Sequence, residues 1–428
     1  MKRGIGAAGQ RGSRAVRGAA VLLLLWGFFA SASSAQQAAP LPRRPAAPLT
    51  VYLMTMGPGK AVWERFGHNA IWIHDAQRGT DEAYNYGLFD LRQEKFLVRF
   101  LQGRMWYWMQ GFPAQSYVET YRRANRSVWI QELEMTPEAK RELQVFLEWN
   151  ERPENRFYHY DYYRDNCSTR VRDALDRALR GRIHEYAATR PTGKTYRFHT
   201  RRLTANDPLV YTGLLIGLGQ PVDRKISAWE EMFLPLALRE HLRGVTVLGP
   251  DGTGVPAVRS EQTLFESTDS PPPDRPPSWV GIYLGLGLVV GGSMIALGTA
   301  AQRGGVLRTG FLTLSAVWAL LAGILGLLLA GLWAFTDHSA AYNNENLFQL
   351  NPISLALLPL LPRPARASGS RPMIIAGSVA ALSLVGLLLK ILPGFYQVNG
   401  EIIALALPIH VGLALGVRQV LRSSPDFT

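Results

Sequence analysis

Among 428 residues there is a single cysteine, Cys167. Without a second thiol no internal disulfide can form, and a zinc or iron–sulfur site built from several cysteines is excluded. No cysteine follows the apolar stretch near the N-terminus, so the chain is not itself lipid-modified there. A phosphate-binding glycine loop, a dinucleotide fingerprint and metal-ligand spacings are missing too, so neither a cofactor nor a metal is expected. The net charge of +13 comes without helix-turn-helix, zinc-finger or interleaved aromatic-basic patterns, which argues against nucleic acid as a partner.

What is present divides into two solvents. Lys2, Arg3, Arg11, Arg14 and Arg17 precede "AAVLLLLWGFFA" and the small residues "ASASSAQ". That order reads as an export signal over residues 1–35, with a Pro/Ala linker over 36–50. Residues 51–248 read as a soluble domain rich in Tyr, Trp, Arg and Glu. A segment with two short strands and a Pro-rich linker, "STDSPPPDRPPS", fills 249–278. Residues 279–422 are mostly apolar. Four runs reach or near spanning length: Trp279 to Ala300, Val306 to Phe335, Met373 to Leu392 and Ile402 to Val420. A fifth, Leu347 to Leu361, is short and holds Pro352 and Pro359. The loops with Arg303 and Arg308, with Arg363, Arg366 and Arg371, and the tail with Arg418 and Arg422 carry the basic charge. They share one side only if the short run crosses, which predicts about five transmembrane helices and a soluble domain outside the cytoplasm.

Within the soluble domain "HNAIWIHD" alternates as a strand does, with "DEAYNYGLFDL" as its hairpin partner. Phe66, His68, Ala70, Trp72 and His74 then share one face. Thr136 and Pro137 mark a helix start. "YRDNCSTRVRDAL" is the most informative stretch. Asp165 and Asn166 suit a helix N-terminus, and Val171, Leu175, Leu179 and Ile183 make one apolar stripe. Cys167 therefore sits in a first helical turn, where the dipole and free N–H groups are expected to lower a thiol pKa and to hold an oxyanion.

A lone exported thiol can be an inert core residue. An oxidising compartment makes that a liability, and a cysteine with histidines elsewhere is a nucleophile candidate. His68 is the first choice of base, His74 the second and His159 the third. Asn85 and Asp90, on the hairpin partner, are candidates to orient the imidazole. Asn166 and Arg170 at the helix start, and Asp337 and His338 in the polar loop "TDHSAAYNNEN", are candidate substrate contacts. For Arg170 a surface charge, and for the loop a plain solvated turn, are the competing readings. The apolar stretch between Asn206 and Leu242 is either core packing or a surface that admits acyl chains.

A strand histidine followed by a helix cysteine is the order of an α+β permuted papain-like fold, of the NlpC/P60 or LRAT kind. "FGHNAIWI", "YNYGLFD", "YDYYRDNCSTRVRDAL" and "TDHSAAYNNENLFQLNP" together resemble the Lnb-type family of bacterial lipoprotein N-acyltransferases. The resemblance runs from about Val51 to the C-terminus. It implies Cys167 as nucleophile and His68 as its base, with an acyl chain passing through a thioester to the N-terminal amine of lipoproteins. Bacterial lipoproteins and phospholipids would be its partners, and a multi-pass protein of the inner membrane with a periplasmic catalytic domain its setting. A membrane-tethered cysteine peptidase or amidase acting on cell-wall peptide, and an anchored binding module without catalysis, are the alternatives.

Overall fold

The computed structural model describes residues 48–249, 252–361 and 370–422. The expected export signal and nearly all of the linker after it lie outside the described residues, as do Arg363 and Arg366.

The soluble domain is built on one seven-stranded antiparallel sheet. Its strands are β1 (Leu49–Met56), β2 (His68–Asp75), β3 (Thr80–Leu88), β4 (Trp106–Pro113), β5 (Val128–Leu133), β6 (Phe157–His159) and β7 (Val258–Phe265), in the spatial order β7-β5-β1-β2-β3-β4-β6. Every residue of β1 is buried, as befits a central strand covered on both faces. Its odd-numbered side chains Val51 and Leu53 join Ile71 and Ile73 on one face, under helices α3 (Pro137–Glu151) and α4 (Cys167–Ala178). The even-numbered Tyr52 and Met54 join Ala70 and Trp72 on the other, under α2 (Ala114–Arg123). Period-two alternation thus sorts the residues onto two apolar layers.

Local signals act where expected. β2 and β3 form the hairpin, with Ala70 opposite Asn85 and Asp75 opposite Thr80. Thr136 caps α3 by accepting the Ala139 N–H at 3.3 Å. The last sheet strand is a departure: β7 comes from the segment assigned above to the linker, and pairs along β5. Its side chains "VRSEQTLF" are mostly polar and its burial is partial, as suits an edge strand.

Among the described residues, four helices are long and apolar enough to cross a membrane: Val280–Ala300, Gly305–Phe335, Arg371–Ile391 and Gly400–Arg422. A fifth long helix is not found among the described residues. The run from Leu347 forms 3-10 turns, Glu345–Phe348 and Pro352–Leu357, instead of one long helix. Pro352 and Pro359 remove backbone donors that a continuous helix would use. The run lies antiparallel to the second span: a Cβ on Gly326 would meet Leu350 and Asn351, and one on Gly323 would meet Leu355. Leu357 is fully buried between spans. One side of this irregular run, with Ser354 and Leu357, is buried in protein, while Ile353 is 46% exposed.

The two parts are bolted together. In helix Pro208–Gly217, Tyr211 and Leu215 are buried against Tyr283, Leu350 and Ile402 of the membrane part. One face of that apolar stretch is therefore packing between the two parts, while Leu209 is left 84% exposed. Amide side chains from the polar loop satisfy the helix's C-terminal carbonyls: Asn344 donates to Ile216 O and Asn346 to Leu215 O, each at 2.8 Å. Arg201 pairs with the buried Glu401, which also accepts from Tyr211.

Candidate active site

The site forms where three elements meet at the N-terminus of α4. Asn166 is the N-cap: its Oδ1 accepts from the N–H groups of Ser168 and Thr169 at 2.9 and 3.0 Å. Its Nδ2 donates to Tyr162 O and Phe233 O. These bonds occupy both ends of the amide, so the expected substrate contact is corrected: Asn166 starts the helix and holds it in place. Ser168 Oγ donates to Asn69 Oδ1 at 2.8 Å, and Asn69 donates to Thr55 Oγ1 at 2.9 Å. Those bonds tie the thiol's helix to β2 at the residue next to His68.

Gly87 brings the reactive groups together. It lies at an irregularity of the β3–β4 register, between Tyr86 and Leu88, with φ of +96°. A side chain is strained in that conformation and glycine is not. A Cβ built there would stand 3.2 Å from Cys167 Cβ, 3.7 Å from His68 Cε1 and 3.9 Å from the Tyr158 hydroxyl. The missing side chain thus leaves room where Cys167 Cβ, the His68 imidazole and the Tyr158 hydroxyl draw near one another.

His68 Nε2 donates to Asn85 Oδ1. That bond leaves Nδ1 with the lone pair, ready to take a proton. The Tyr121 ring stacks alongside at 6.3 Å, and Arg126 lies over the Tyr121 ring at 4.6 Å. Asp90 is not part of this arrangement. It is beyond the end of β3, where its carboxylate accepts from Arg92. Of the two candidates for orienting the imidazole, only Asn85 reaches it. His74 is buried against Asp81 at 2.8 Å, and His159 is exposed on β6, against Trp106.

The expectation of a lowered thiol pKa is also corrected. Burial pushes the Cys167 thiol up to about 11. The N–H groups of Asn69, Ser168 and Cys167, and the Arg126 charge, oppose that rise without cancelling it. Burial lowers His68 to about 4; the Asn85 bond works against the drop and Arg126 adds to it. Desolvation disfavours both charged forms and outweighs the helix dipole. Both side chains keep some solvent exposure, and these shifts favour a neutral thiol and a neutral imidazole near neutral pH.

Tyr107, Tyr117, Tyr121, Tyr158 and Tyr160 surround the sulfur closely enough to feel its charge. Burial raises every one of these phenols, so all remain hydroxyl groups. Tyr158 is distinctive. It is 6% exposed, and among the described residues its hydroxyl has no hydrogen-bond partner. Gly87, Asn69 and Tyr158 escape sequence reasoning. All three are in or beside the motifs quoted above, but only the register shift and the helix docking reveal what they do.

The remaining candidates lie around this centre. Arg170 forms an ion pair with Asp165 and lies 4.4 Å above the Tyr158 ring, so it braces the site wall. Asp337 and His338 do not reach the thiol. Asp337 pairs with Arg104 at 2.6 Å, and His338 Nε2 donates to Phe100 O at 2.8 Å. The polar loop thereby clasps helix α1 (Phe96–Gln102) of the soluble domain.

Two family models match the chain. The Lnb N-terminal periplasmic domain covers residues 39–204, and the Lnb transmembrane domain covers residues 293–419. No curated protein and no solved structure matches. The first match contains His68, Asn85, Gly87 and Cys167; the second contains the polar loop and most of the spans. The chain belongs to the Lnb family and is a membrane protein with a periplasmic domain ahead of its transmembrane domain.

Proposed function

We propose that the protein is an N-acyltransferase that carries a fatty acyl chain on Cys167 and delivers it to the N-terminal amine of bacterial lipoproteins in the inner membrane. The observation that supports this reading is the approach of Cys167 and His68 to the same glycine, Gly87, with Asn85 bonded to the imidazole. The permuted papain-like ancestry of the soluble domain belongs to the same proposal.

In the first half-reaction the Cys167 sulfur attacks the ester carbonyl of a phospholipid or acylated lipoprotein, and His68 Nδ1 takes the thiol proton as the C–S bond forms. Neutral resting groups suit this route, because the proton moves during attack and no buried ion pair precedes it. Asn85 holds the ring and its tautomer. The carbonyl oxygen gains negative charge, and in this reading the backbone N–H groups beside Cys167 receive it together with the nearby Tyr158 hydroxyl. His68 then gives its proton to the departing alkoxide, leaving a thioester. In the second half an amine attacks that thioester, His68 takes the amine proton and returns it to the sulfur, and an amide results.

Burial of the tyrosines around Cys167 supports an amine over water as the acceptor, since a poorly hydrated site disfavours hydrolysis. The fixed attachment to the spans supports substrates held in the bilayer, where donor and acceptor meet in a plane. The test is Cys167→Ser in a strain that depends on this protein for lipoprotein acylation. Mass spectrometry of the lipoproteins should show loss of the N-linked chain; if the chain persists, the reading is wrong. A long-chain thioester on the wild type that is released only to water would assign the protein to the hydrolases instead.

A further inference from the structure

Helix α1 is unlike the other helices of the soluble domain. Every one of its residues is at least partly exposed, yet five of the seven are Phe, Leu or Val. Leu97 is 73% exposed and Leu101 64%, with Val98 and Phe100 also open. A seven-residue helix has little stability of its own and normally depends on burying an apolar face. Here that face is turned outward, as an unexplained apolar patch.

What covers it is indicated by its attachment. The second span ends at Phe335, and two residues later Asp337 donates its N–H to Gln102 O at 2.8 Å. His338 and Arg104 complete the clasp at the same end of α1. Gly103 permits it, because a Cβ there would meet the Asp337 and His338 backbone at 2.9 Å. Helix α1 is therefore held level with the end of a membrane-spanning helix whose last turn exposes Trp333 and Phe335. Apolar residues at that depth meet the boundary between lipid headgroups and acyl chains.

Behind α1 the aromatic rings form a closed circuit that touches the site. Tyr107 and Tyr160, 4.1 Å apart, pack against the same core cluster as Cys167 and lie close enough to feel its charge. From Tyr107 one arm runs to Phe89 at 5.2 Å, Phe96 at 6.4 Å and Phe100 at 6.3 Å. From Tyr160 the other runs to Tyr162 at 5.7 Å, His338 at 6.3 Å and back to Phe100 at 6.4 Å. One side of the circuit is at the thiol and the other is on α1.

We infer that α1 lies in the plane of the periplasm-facing leaflet with its apolar face in the lipid, and that the aromatic circuit is the portal through which a lipid acyl chain reaches Cys167. The membrane placement stands on the clasp and the exposed face alone. The portal rests on the acyl-transfer reading above.

The experiment uses the full chain in vesicles of phosphatidylethanolamine and phosphatidylglycerol, with benzoylphenylalanine replacing Leu97 or Leu101. Leu288, exposed on the first span, is the lipid-facing control, and Val145, exposed on α3, the aqueous one. Irradiation should give phospholipid adducts at positions 97 and 101 in yields within about threefold of position 288. Adducts no more frequent than at position 145 would overturn the membrane placement. For the portal, Leu97→Glu with Leu101→Glu should slow Cys167 acylation by vesicle phospholipid at least tenfold while leaving its alkylation by iodoacetamide unchanged. Equal acylation in wild type and variant would overturn the portal. If the wild type itself takes up no acyl chain, the acyl-transfer reading fails and the portal with it, and the crosslinks still decide where α1 lies.

Discussion

Gly87 and Cys167 approach closely: an added Cβ at position 87 would stand 3.2 Å from Cys167 Cβ, at a backbone φ of +96° that side chains rarely adopt. Gly87→Ala should thus strain the backbone and push the thiol from His68. We expect a stability loss of about 1–3 kcal/mol and a fall of more than tenfold in the rate at which Cys167 acquires an acyl chain. Thermal unfolding and intact-mass kinetics measure the two effects. An alanine variant with wild-type acylation would show that the contact has no functional weight.

The imidazole should follow its partner. His68→Ala should slow acylation of Cys167 by about 10²–10⁴-fold, the usual worth of a positioned general base. Asn85→Ala should cost less, because the ring stays in place but loses its fixed tautomer. Asp90→Ala should leave the rate unchanged, as its carboxylate is committed to Arg92. A loss at Asp90 equal to that at Asn85 would contradict the assignment.

The pH profile follows from burial. His68 works as a base only when neutral, and its pKa is lowered to about 4. Acylation should therefore be present above that value and fail as pH falls through it, with a flat region across neutrality. Asn85→Asp would place a carboxylate on the ring, favour imidazolium and move that lower limb upward. Direct alkylation needs the thiolate, and the thiol is pushed up to about 11. Its rate should climb about tenfold per pH unit through pH 9, where an ordinary thiol near 8.5 would already level off. A plateau near neutrality would indicate a thiolate–imidazolium pair instead.

Tyr158 separates catalysis from folding. Its buried hydroxyl is without a hydrogen-bond partner among the described residues, so Tyr158→Phe removes nothing that the resting fold uses. The melting temperature should hold or rise. If the hydroxyl receives the developing oxyanion, kcat should drop by about 10²–10³-fold with KM little changed. An unaltered kcat would leave the backbone N–H groups as the whole oxyanion site.

The local features of this protein are written in its sequence. Asn166 and Cys167 mark a helix start because capping needs only a side chain and the next three N–H groups. The β2–β3 hairpin follows from alternation, and the four spans from uninterrupted apolar length. What remained undecided depends on residues far apart in the chain. Three histidines compete on the sequence; a register irregularity at Gly87 and the docking of α4 on Asn69 bring His68 near Cys167. Asn85 and Asp90 look alike as acceptors until β3 ends between them. The thiol pKa turns on how much protein surrounds the sulfur, and desolvation there outweighs the helix dipole. The edge strand β7 and the irregular run beside the second span are likewise tertiary decisions. A polar segment becomes a strand only when an open sheet edge accepts it, and a proline-broken run is stable beside the spans only when neighbouring helices pack against it.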